Sequence, residues 1–188
     1  TLVVGQQGTG SLEASFALLL RDSGYPNANN VVIGRAGGTG TATLEHLSSL
    51  ETDGLVVGDS ATAEVRITGG SQVSCRNAVI GPPPEWALAS VTVGDPESRL
   101  QASNAITVQG GPATSRASLN IEYGASVEAA LAVAIFQYGT VTVGLDSVLR
   151  CPTILVNANG LLMGDGGTVV GQVINLGGIV SSGLVIVP

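Results

Sequence analysis

The sequence predicts an all-β fold, a single parallel β-helix (β-solenoid) in which each coil contributes three short strands. Three observations predict it: an apolar motif recurs along the chain, successive copies begin 22 to 28 residues apart, and apolar residues within each copy alternate with polar ones. Repeats of this length are too short for a pair of helices but suit one coil of strands. Because one coil cannot bury its own apolar side, a core forms only when coils stack.

The clearest copy of the motif runs from Val65 to Cys75 and reads V-x-I-x-G-G-S-x-V-x-C. Apolar residues at alternate positions predict two strands, and the glycines between them predict a turn. Further copies begin at Ala42, Val91, Leu119 and Val141. A third apolar run precedes most copies, at residues 2–5, 31–34, 55–58 and 78–81. Each coil is therefore expected to hold three strands.

The repeat covers the whole chain and predicts one solenoid domain over residues 1–188. The expected coils lie at about residues 1–30, 31–54, 55–77, 78–104, 105–131, 132–153 and 154–173, with a partial coil at 174–188. This makes seven to eight coils, with no linker or change of composition between them. The chain is 44% hydrophobic and 3% aromatic with 27 glycines, as expected for a narrow tube filled by aliphatic side chains and turned at glycine corners.

The charge balance excludes two classes of partner. The chain has 14 acidic and seven basic residues, a net charge of −7, and every basic residue is arginine. Such a chain lacks the basic stripe that neutralises nucleic-acid phosphates, and anionic lipid repels it. No apolar run approaches the roughly 20 residues of a membrane span. We therefore expect no nucleic-acid binding and no direct membrane insertion.

The two cysteines occupy the same position of the repeat. Cys75 and Cys151 are separated in this inward ladder by Ala102 and Ala129. Three coil steps place the two thiols about 14 Å apart, beyond the roughly 7 Å between Cα atoms that a disulfide tolerates. We predict two unpaired, inward-facing cysteines.

Some β-helices cleave polysaccharides, which requires two acids held several Å apart. Asp146 and Asp165 follow turns in neighbouring coils and are the best candidate pair, although solvated turn aspartates are the ordinary alternative. The remaining acid pairs are not expected to converge: Asp59 with Asp95, and Glu45 with Glu122.

Other chemical motifs are weaker. His46 is the only histidine, and no nucleophile with an orienting acid is placed against it. Residues 37–40 are rich in glycine but lack the lysine of a phosphate-binding loop, and residues 164–167 are one copy of a calcium repeat that needs several. We predict no catalytic residue, no cofactor, no metal site and no enzymatic activity.

Two segments interrupt the repeat, and each contains an aromatic residue. Residues 21–30 contain Tyr25, and residues 82–86 contain Trp86, the only tryptophan. Aromatic side chains on rigid loops anchor partners or stack on sugars, or else fold back over their own coil. Tyr25 and Trp86 are therefore candidate partner-binding residues.

Several segments resemble the β-helical repeats of bacterial autotransporter passenger domains and related secreted adhesins. The resemblance rests on LVVGDSATAEVRITGGSQVSC, on AVIGPPPEWALASVTVGDPESRLQASN, on AITVQGGPATSRASLNIEYGASVEAAL, and on the Gly-rich run from Ile154 to Gly183. It implies a right-handed β-helix that is exported and displayed outside the cell as a stalk or adhesin. No membrane β-barrel follows these segments in the sequence given, so that secretion route is not implied.

Both ends of the repeat predict unprotected strand edges: Leu2, Val3 and Val4 at one end, and Leu184, Val185, Ile186 and Val187 at the other. Such edges pair with further strands unless something covers them. The sequence therefore predicts a secreted or bacterial cell-surface, non-enzymatic structural or adhesive solenoid. Its partners are flanking solenoid sequence, a glycan or a cell-surface protein. The alternatives are a head-to-tail filament subunit and a polysaccharide-binding or polysaccharide-cleaving β-helix.

Overall fold

A computed structural model describes residues 1–14, 18–19, 30–81, 87–111 and 115–187, and every helix-or-strand element within them is a strand. The strands are β1 (Leu2–Gln6), β2 (Thr9–Ala14), β3 (Leu18–Leu19), β4 (Asn30–Arg35), β5 (Thr39–Leu44), β6 (Ser49–Asp59), β7 (Thr62–Ile67), β8 (Gln72–Ile80), β9 (Leu88–Val93), β10 (Arg99–Val108), β11 (Arg116–Ile121), β12 (Ser126–Ala129), β13 (Ala132–Ile135), β14 (Gly139–Val143), β15 (Val148–Asn157), β16 (Leu161–Gly164), β17 (Thr168–Leu176), β18 (Ile179–Val180) and β19 (Val185–Val187).

These strands form two stacked parallel sheets. The first sheet has eleven strands along the path β1-β4-β6-β8-β10-β12-β15-β17-β19, with β3 and β13 paired beside it. The second sheet has eight strands in the order β18-β16-β14-β11-β9-β7-β5-β2. The all-β, parallel solenoid predicted from the sequence is confirmed, while its right-handedness stays a prediction.

Each turn of the solenoid places one strand in the second sheet and two strand segments in the first. The long strands of the first sheet pass round a corner. On one side of the corner the inward residues are odd-numbered or even-numbered, and on the other side the alternation is reversed. In β8, for example, Val73 and Cys75 are buried, and after the corner Ala78 and Ile80 are buried instead. The predicted three strands per coil therefore correspond to three sides of a tube.

Among the described residues, six consecutive turns have full strands on all three sides. They occupy the described parts of residues 30–53, 54–76, 77–104, 105–131, 132–152 and 153–171, within about two residues of the predicted coils. The first turn includes residues outside the described ranges, and the last has the end of β17, residues 172–176, followed by strands of only two and three residues. The predicted seven to eight coils therefore overestimate the number of fully formed ones, which is about six.

The core is a set of inward files, each with one aliphatic residue per turn. One such file contains Leu2, Val31, Leu55, Ala78, Ile106, Val133, Ile154 and Val173. A second contains Leu12, Ala42, Val65, Val91, Leu119, Val141, Leu162 and Val180. Register is fixed because a slip by one residue would turn every one of these side chains outward.

Small residues occupy the corners where successive turns approach closely. Gly58 has a φ of 84°, and a Cβ there would lie 2.5 Å from the Cβ of Ala89. Both the backbone conformation and the contact require glycine. In the described part of the chain, no helix is long and apolar enough to cross a bilayer.

Candidate functional site

The two aromatic residues singled out in the sequence, Tyr25 and Trp86, lie outside the described residues. The other predicted positions fall on three parts of the solenoid: the cysteine ladder, the corners that carry acids, and the strand edges at the ends. A polar outer surface, which the sequence analysis did not single out, is a fourth candidate.

The cysteine ladder lies at the corner of the first sheet. Cys75 pairs with Thr52 before it and Ala102 after it, and Ala102 pairs with Ala129. Cys151 follows Arg150, which pairs with Glu128, so two alanines separate the cysteines. Both cysteines are free and buried.

Each thiol donates a hydrogen bond to a backbone carbonyl oxygen. The Sγ of Cys151 lies 3.0 Å from the oxygen of Thr153, and the Sγ of Cys75 lies 3.7 Å from the oxygen of Gln101. Burial raises the pKa of the Cys75 thiol to about 12 and also raises that of Cys151. Since the thiolate is the reactive form, burial disfavours reaction of both thiols at neutral pH.

A groove of about 680 Å³ runs along this corner, parallel to the solenoid axis. Its floor is made of small residues from five successive turns: Cys75, Ala102, Ala129, Ala130, Cys151 and Gly171. Corner length varies along the groove: between Ala102 and Ala105 the strand has one residue more than between Cys75 and Asn77 in the preceding turn. Sequence periodicity did not show it, since the extra residue lies outside the alternating runs.

Polar side chains border one side of the groove. The Nε2 of Gln101 donates to a carboxylate oxygen of Glu128 at 3.4 Å, and the other oxygen of Glu128 lies 4.0 Å from the guanidinium of Arg150. These three residues come from successive turns at one outward position. The edge is therefore a short polar ladder of nearly balanced charge.

Of the acids considered from the sequence, Asp59 lies at one corner, and the others lie at the corner between the second and first sheets. Asp59, at the end of β6, is 3.3 Å from the Nε of Arg35, whereas Asp95 follows β9 and accepts a hydrogen bond from the amide of Gly69 at 3.2 Å. Asp146 and Asp165 lie in consecutive turns at the corner between the second and first sheets. That corner also holds Glu122, Glu45 and His46, whose Nε2 lies 3.8 Å from Glu45. No group of three or more His, Cys, Asp or Glu side chains among the described residues could hold a metal ion.

The same corner contains a file of buried serines. In the sequence these serines stand out only as a residue that recurs in several copies of the repeat. Ser48, Ser71, Ser98 and Ser147 are almost fully buried. The hydroxyl of Ser98 accepts from the amide of Gly70 at 3.0 Å, and that of Ser147 accepts from the amide of Gly124 at 3.2 Å. These serines satisfy backbone groups at the turn and so have a structural role.

The outer surface of the second sheet carries a regular polar array over β9, β11 and β14. One file contains Ser90, Ser118 and Thr140, and the neighbouring file contains Thr92, Asn120 and Thr142. All six are half-buried and none is charged. We call this set the polar array. Its signal in the sequence is the polar residue between the two inward residues of each strand, as in Val141-Thr142-Val143.

The two ends of the solenoid are covered unequally. At the first turn, Val4 is buried and Leu2 packs against the core. At the last turn, Leu184 packs against the core, but the side chains of β19 are exposed. Of the twelve exposed large hydrophobic residues in the described chain, five lie at this end: Leu176, Ile179, Val185, Ile186 and Val187.

These features define the chain as a β-solenoid repeat protein. No family model matches the sequence, and neither curated proteins nor solved structures give a match.

Proposed function

We propose that this protein is a non-enzymatic, extracellular structural and adhesive module. In this proposal the solenoid is a rigid support, and the polar array is the surface that contacts a glycan coat or another hydroxyl-rich cell-surface partner. The observation that carries the proposal is the regular arrangement of that array.

The spacing of the polar array follows from the sheet that bears it. Neighbouring strands lie about 4.8 Å apart, and residues on one side of a strand recur about every 6.8 Å. Hydroxyl and amide groups both donate and accept hydrogen bonds, so they suit a partner rich in hydroxyls. Three turns thus offer a grid of six polar groups, and repetition of weak contacts is what an adhesive surface needs.

The packing beneath the polar array supports its role. Val91, Leu119 and Val141 lie directly inside these strands and are fully buried. Side chains mounted on such a packed sheet lose little conformational freedom on binding, which favours affinity. The array is therefore preorganised by the core.

The chemistry of the cysteines agrees with an exterior location. Oxidising surroundings convert accessible thiolates to disulfides, but both thiols are buried with raised pKa values. Cys75 and Cys151 would therefore remain reduced outside a cell. The resemblance to exported passenger domains also implies an exterior location.

Binding of the purified protein to immobilised cell-surface glycans and to intact cells tests the adhesive role. Ser118→Glu introduces a charge at the centre of one file and should weaken binding at least about tenfold, because the carboxylate must be desolvated on contact. The double substitution Thr92→Val with Thr142→Val keeps β-strand propensity while removing two hydroxyl groups. It should weaken binding less than Ser118→Glu does.

The matched control is Thr107→Val, which removes an outward hydroxyl from the first sheet. It should bind like the unmodified protein. Equal binding by Ser118→Glu and the unmodified protein, with the fold verified by circular dichroism, would reject the polar array as the adhesive surface.

The axial groove favours a second candidate function, the binding of a linear polysaccharide. Its length along five turns and its polar border of Gln101, Glu128 and Arg150 would accommodate an extended chain. Glu128→Gln with Arg150→Gln should then abolish glycan binding without affecting the polar array. The cleaving alternative rests on Asp146 and Asp165 at a different corner, and unchanged glycan turnover in Asp146→Asn with Asp165→Asn would reject it.

A further inference from the structure

We propose that two copies of this chain associate face to face through one side of the tube and form a closed dimer. That side is built by the second halves of the long strands in the first sheet, together with β13. We call it the apolar side and define it by residues 54–58, 77–81, 105–109, 132–136, 153–157 and 172–176. The proposal is independent of the polar array, which lies on the second sheet.

The apolar side carries no charge. None of the residues in its six ranges is acidic or basic, although the chain has 14 acidic and seven basic residues. Both other sides of the tube have charged residues at outward positions. Examples are Glu128 and Arg150 in the first sheet before the corner, and Glu64 and Arg66 on the second sheet. Composition therefore distinguishes the apolar side from the rest of the tube's surface.

The outward positions of the apolar side form a nearly continuous aliphatic file. In register from turn to turn, this file contains Val56, Val79, Thr107, Ala134, Leu155 and Ile174, all of them half-buried. A sheet with one side in water usually alternates apolar inward residues with polar outward ones. Here both sets are apolar, as in Leu55-Val56-Val57 and Ile154-Leu155-Val156. Continuous apolar runs are typical of parallel strands that are covered on both sides, so the pattern indicates a cover.

The shape of the apolar side suits another sheet as that cover. The outward file next to the aliphatic one has mostly small side chains: Gly54, Asn77, Ala105, Ala132 and Thr153. Small side chains beside the aliphatic file allow a second sheet to approach to the roughly 10 Å of sheet-on-sheet packing. Phe136, which is 38% exposed, adds an aromatic side chain at the far edge of the same side.

The charge of the chain favours a second copy as the partner. With a net charge of −7, two copies repel each other wherever their charged sides meet. Contact through the apolar sides brings no charged side chain of either copy into the centre of the interface. Depletion of charge at the centre is also what distinguishes protein interfaces from the remaining surface. The apolar side is therefore the side through which copies of this chain associate with the least repulsion.

The size of the apolar side sets the strength of the contact. Six strand segments, each about five residues long, cover about 29 by 17 Å, or about 500 Å² on each copy. The total of about 1,000 Å² lies at the lower limit for a specific interface, so the dimer should be reversible, with a dissociation constant on the order of micromolar. Because the same surface is used by both copies, association closes at two.

A charge placed on the aliphatic file tests the contact. Leu155→Glu should raise the dissociation constant of the dimer at least about tenfold, because the carboxylate would be desolvated without a partner. Val79→Glu is a second variant with the same expected effect. Val148→Glu is the matched control: Val148 is a half-buried outward residue of the same strand as Leu155, but it precedes the corner and lies on another side of the tube.

Sedimentation velocity of the purified 188-residue chain, over a range of concentrations, supplies the first readout. The unmodified chain and Val148→Glu should convert from monomer to dimer as concentration rises, with nothing larger, whereas Leu155→Glu should stay monomeric over the same range. Methyl NMR supplies the second readout. Resonances of Val79 and Leu155 should shift with concentration, and those of Val148 should not. Circular dichroism verifies the fold, and Val79→Glu replaces Leu155→Glu if the latter does not fold.

A chain that stays monomeric at its highest soluble concentration would overturn the proposal and leave a different protein as the occupant of the apolar side. Dimers of Leu155→Glu as tight as those of the unmodified chain would overturn it too, because association would then use another surface. Equal weakening in Val148→Glu would reject it by attributing the effect to net charge. None of these results depends on glycan binding.

Discussion

The interior turns and the last turn are built from the same kinds of residue, yet they differ in burial. Ile154 and Ile186 both occupy inward positions, but Ile154 is 0% exposed and Ile186 is 43% exposed. Val169, the partner of Ile186 in the preceding turn, is also fully buried. The difference shows that the burial of an inward residue depends on the neighbouring turns as well as on its own turn.

This comparison implies a gradient of stability along the axis. In stacked repeats, stability is approximately a sum of the terms within each turn and the terms between neighbours. An end turn lacks one set of neighbour terms, so it opens more readily than the interior.

The largest expected effect comes from removing an interior side chain. Ile154→Ala should lower the free energy of unfolding by about 2–5 kcal/mol, because it leaves a cavity between two packed turns. Ile186→Ala at the last turn should cost about 0.5 kcal/mol, as for other exposed positions. Urea denaturation followed by circular dichroism measures both. Equal losses at the two sites would contradict the gradient.

The next largest effect on stability is expected at Gly171, where the interior turns meet the last turn. Gly171 has a φ of 133°, and a Cβ there would overlap the carbonyl oxygen of Cys151. Gly171→Ala should therefore destabilise the protein by about 3 kcal/mol, through both the backbone conformation and the steric clash.

Gly177→Ala is the matched control for Gly171→Ala. Gly177 also has positive φ, at 100°, but its added Cβ would meet no atom closer than 3.9 Å. Only the backbone strain remains, so the loss should be about 1 kcal/mol. Thermal denaturation compares the two variants directly, and similar melting temperatures would show that the junction tolerates a shift of the last turn.

Much of this fold could be predicted from sequence, because alternating apolar residues fix both strand position and register. The predicted coil at 78–104 and the observed turn at 77–104 differ by one residue. The corners could not be predicted in the same way. The groove depends on the number of residues that follow Ala102, and corner residues carry no periodic signal.

The candidate surfaces were predicted less completely than the fold. Leu2, Val3 and Val4 have the same apolar character as Val185, Ile186 and Val187, so sequence indicated two equivalent edges. In the structure the two strands differ in exposure, because Leu2 and Val3 are half-buried and Val4 is buried, whereas all three residues of β19 are exposed. The buried serines were equally hidden, because polarity suggests exposure until a backbone partner is known.

A smaller effect is expected from a buried hydrogen bond. Ser98→Ala removes the hydroxyl that accepts from the amide of Gly70, and should cost about 1–2 kcal/mol because this partly buried amide loses its acceptor. Ser181→Ala at the last turn removes an acceptor for the exposed amide of Gly183 and should change stability by less than about 0.5 kcal/mol. Denaturation midpoints measure both, and a neutral Ser98→Ala would mean that solvent reaches the interior corner.

The smallest expected effect is a pH dependence of stability, which arises because the Cys75 thiol is buried. Burial raises the pKa of Cys75 from its ordinary value of 9.0 to about 12, so the unfolded chain loses this proton at lower pH than the folded one. The stabilisation from the neutral thiol is therefore complete below pH 9 and is lost as pH rises toward 12. At pH 10 the loss is about 1 kcal/mol.

Comparison with Cys75→Ala separates the contribution of the Cys75 thiol from the contributions of the other ionisable groups. Alanine already occupies the same ladder at Ala102 and Ala129, so the substitution should be accommodated. Between pH 8 and pH 10 the urea midpoint of the unmodified protein should fall further than that of Cys75→Ala. Parallel pH profiles would mean that the Cys75 thiol is hydrated in the folded state, and that this interior corner is already as open to water as the last turn.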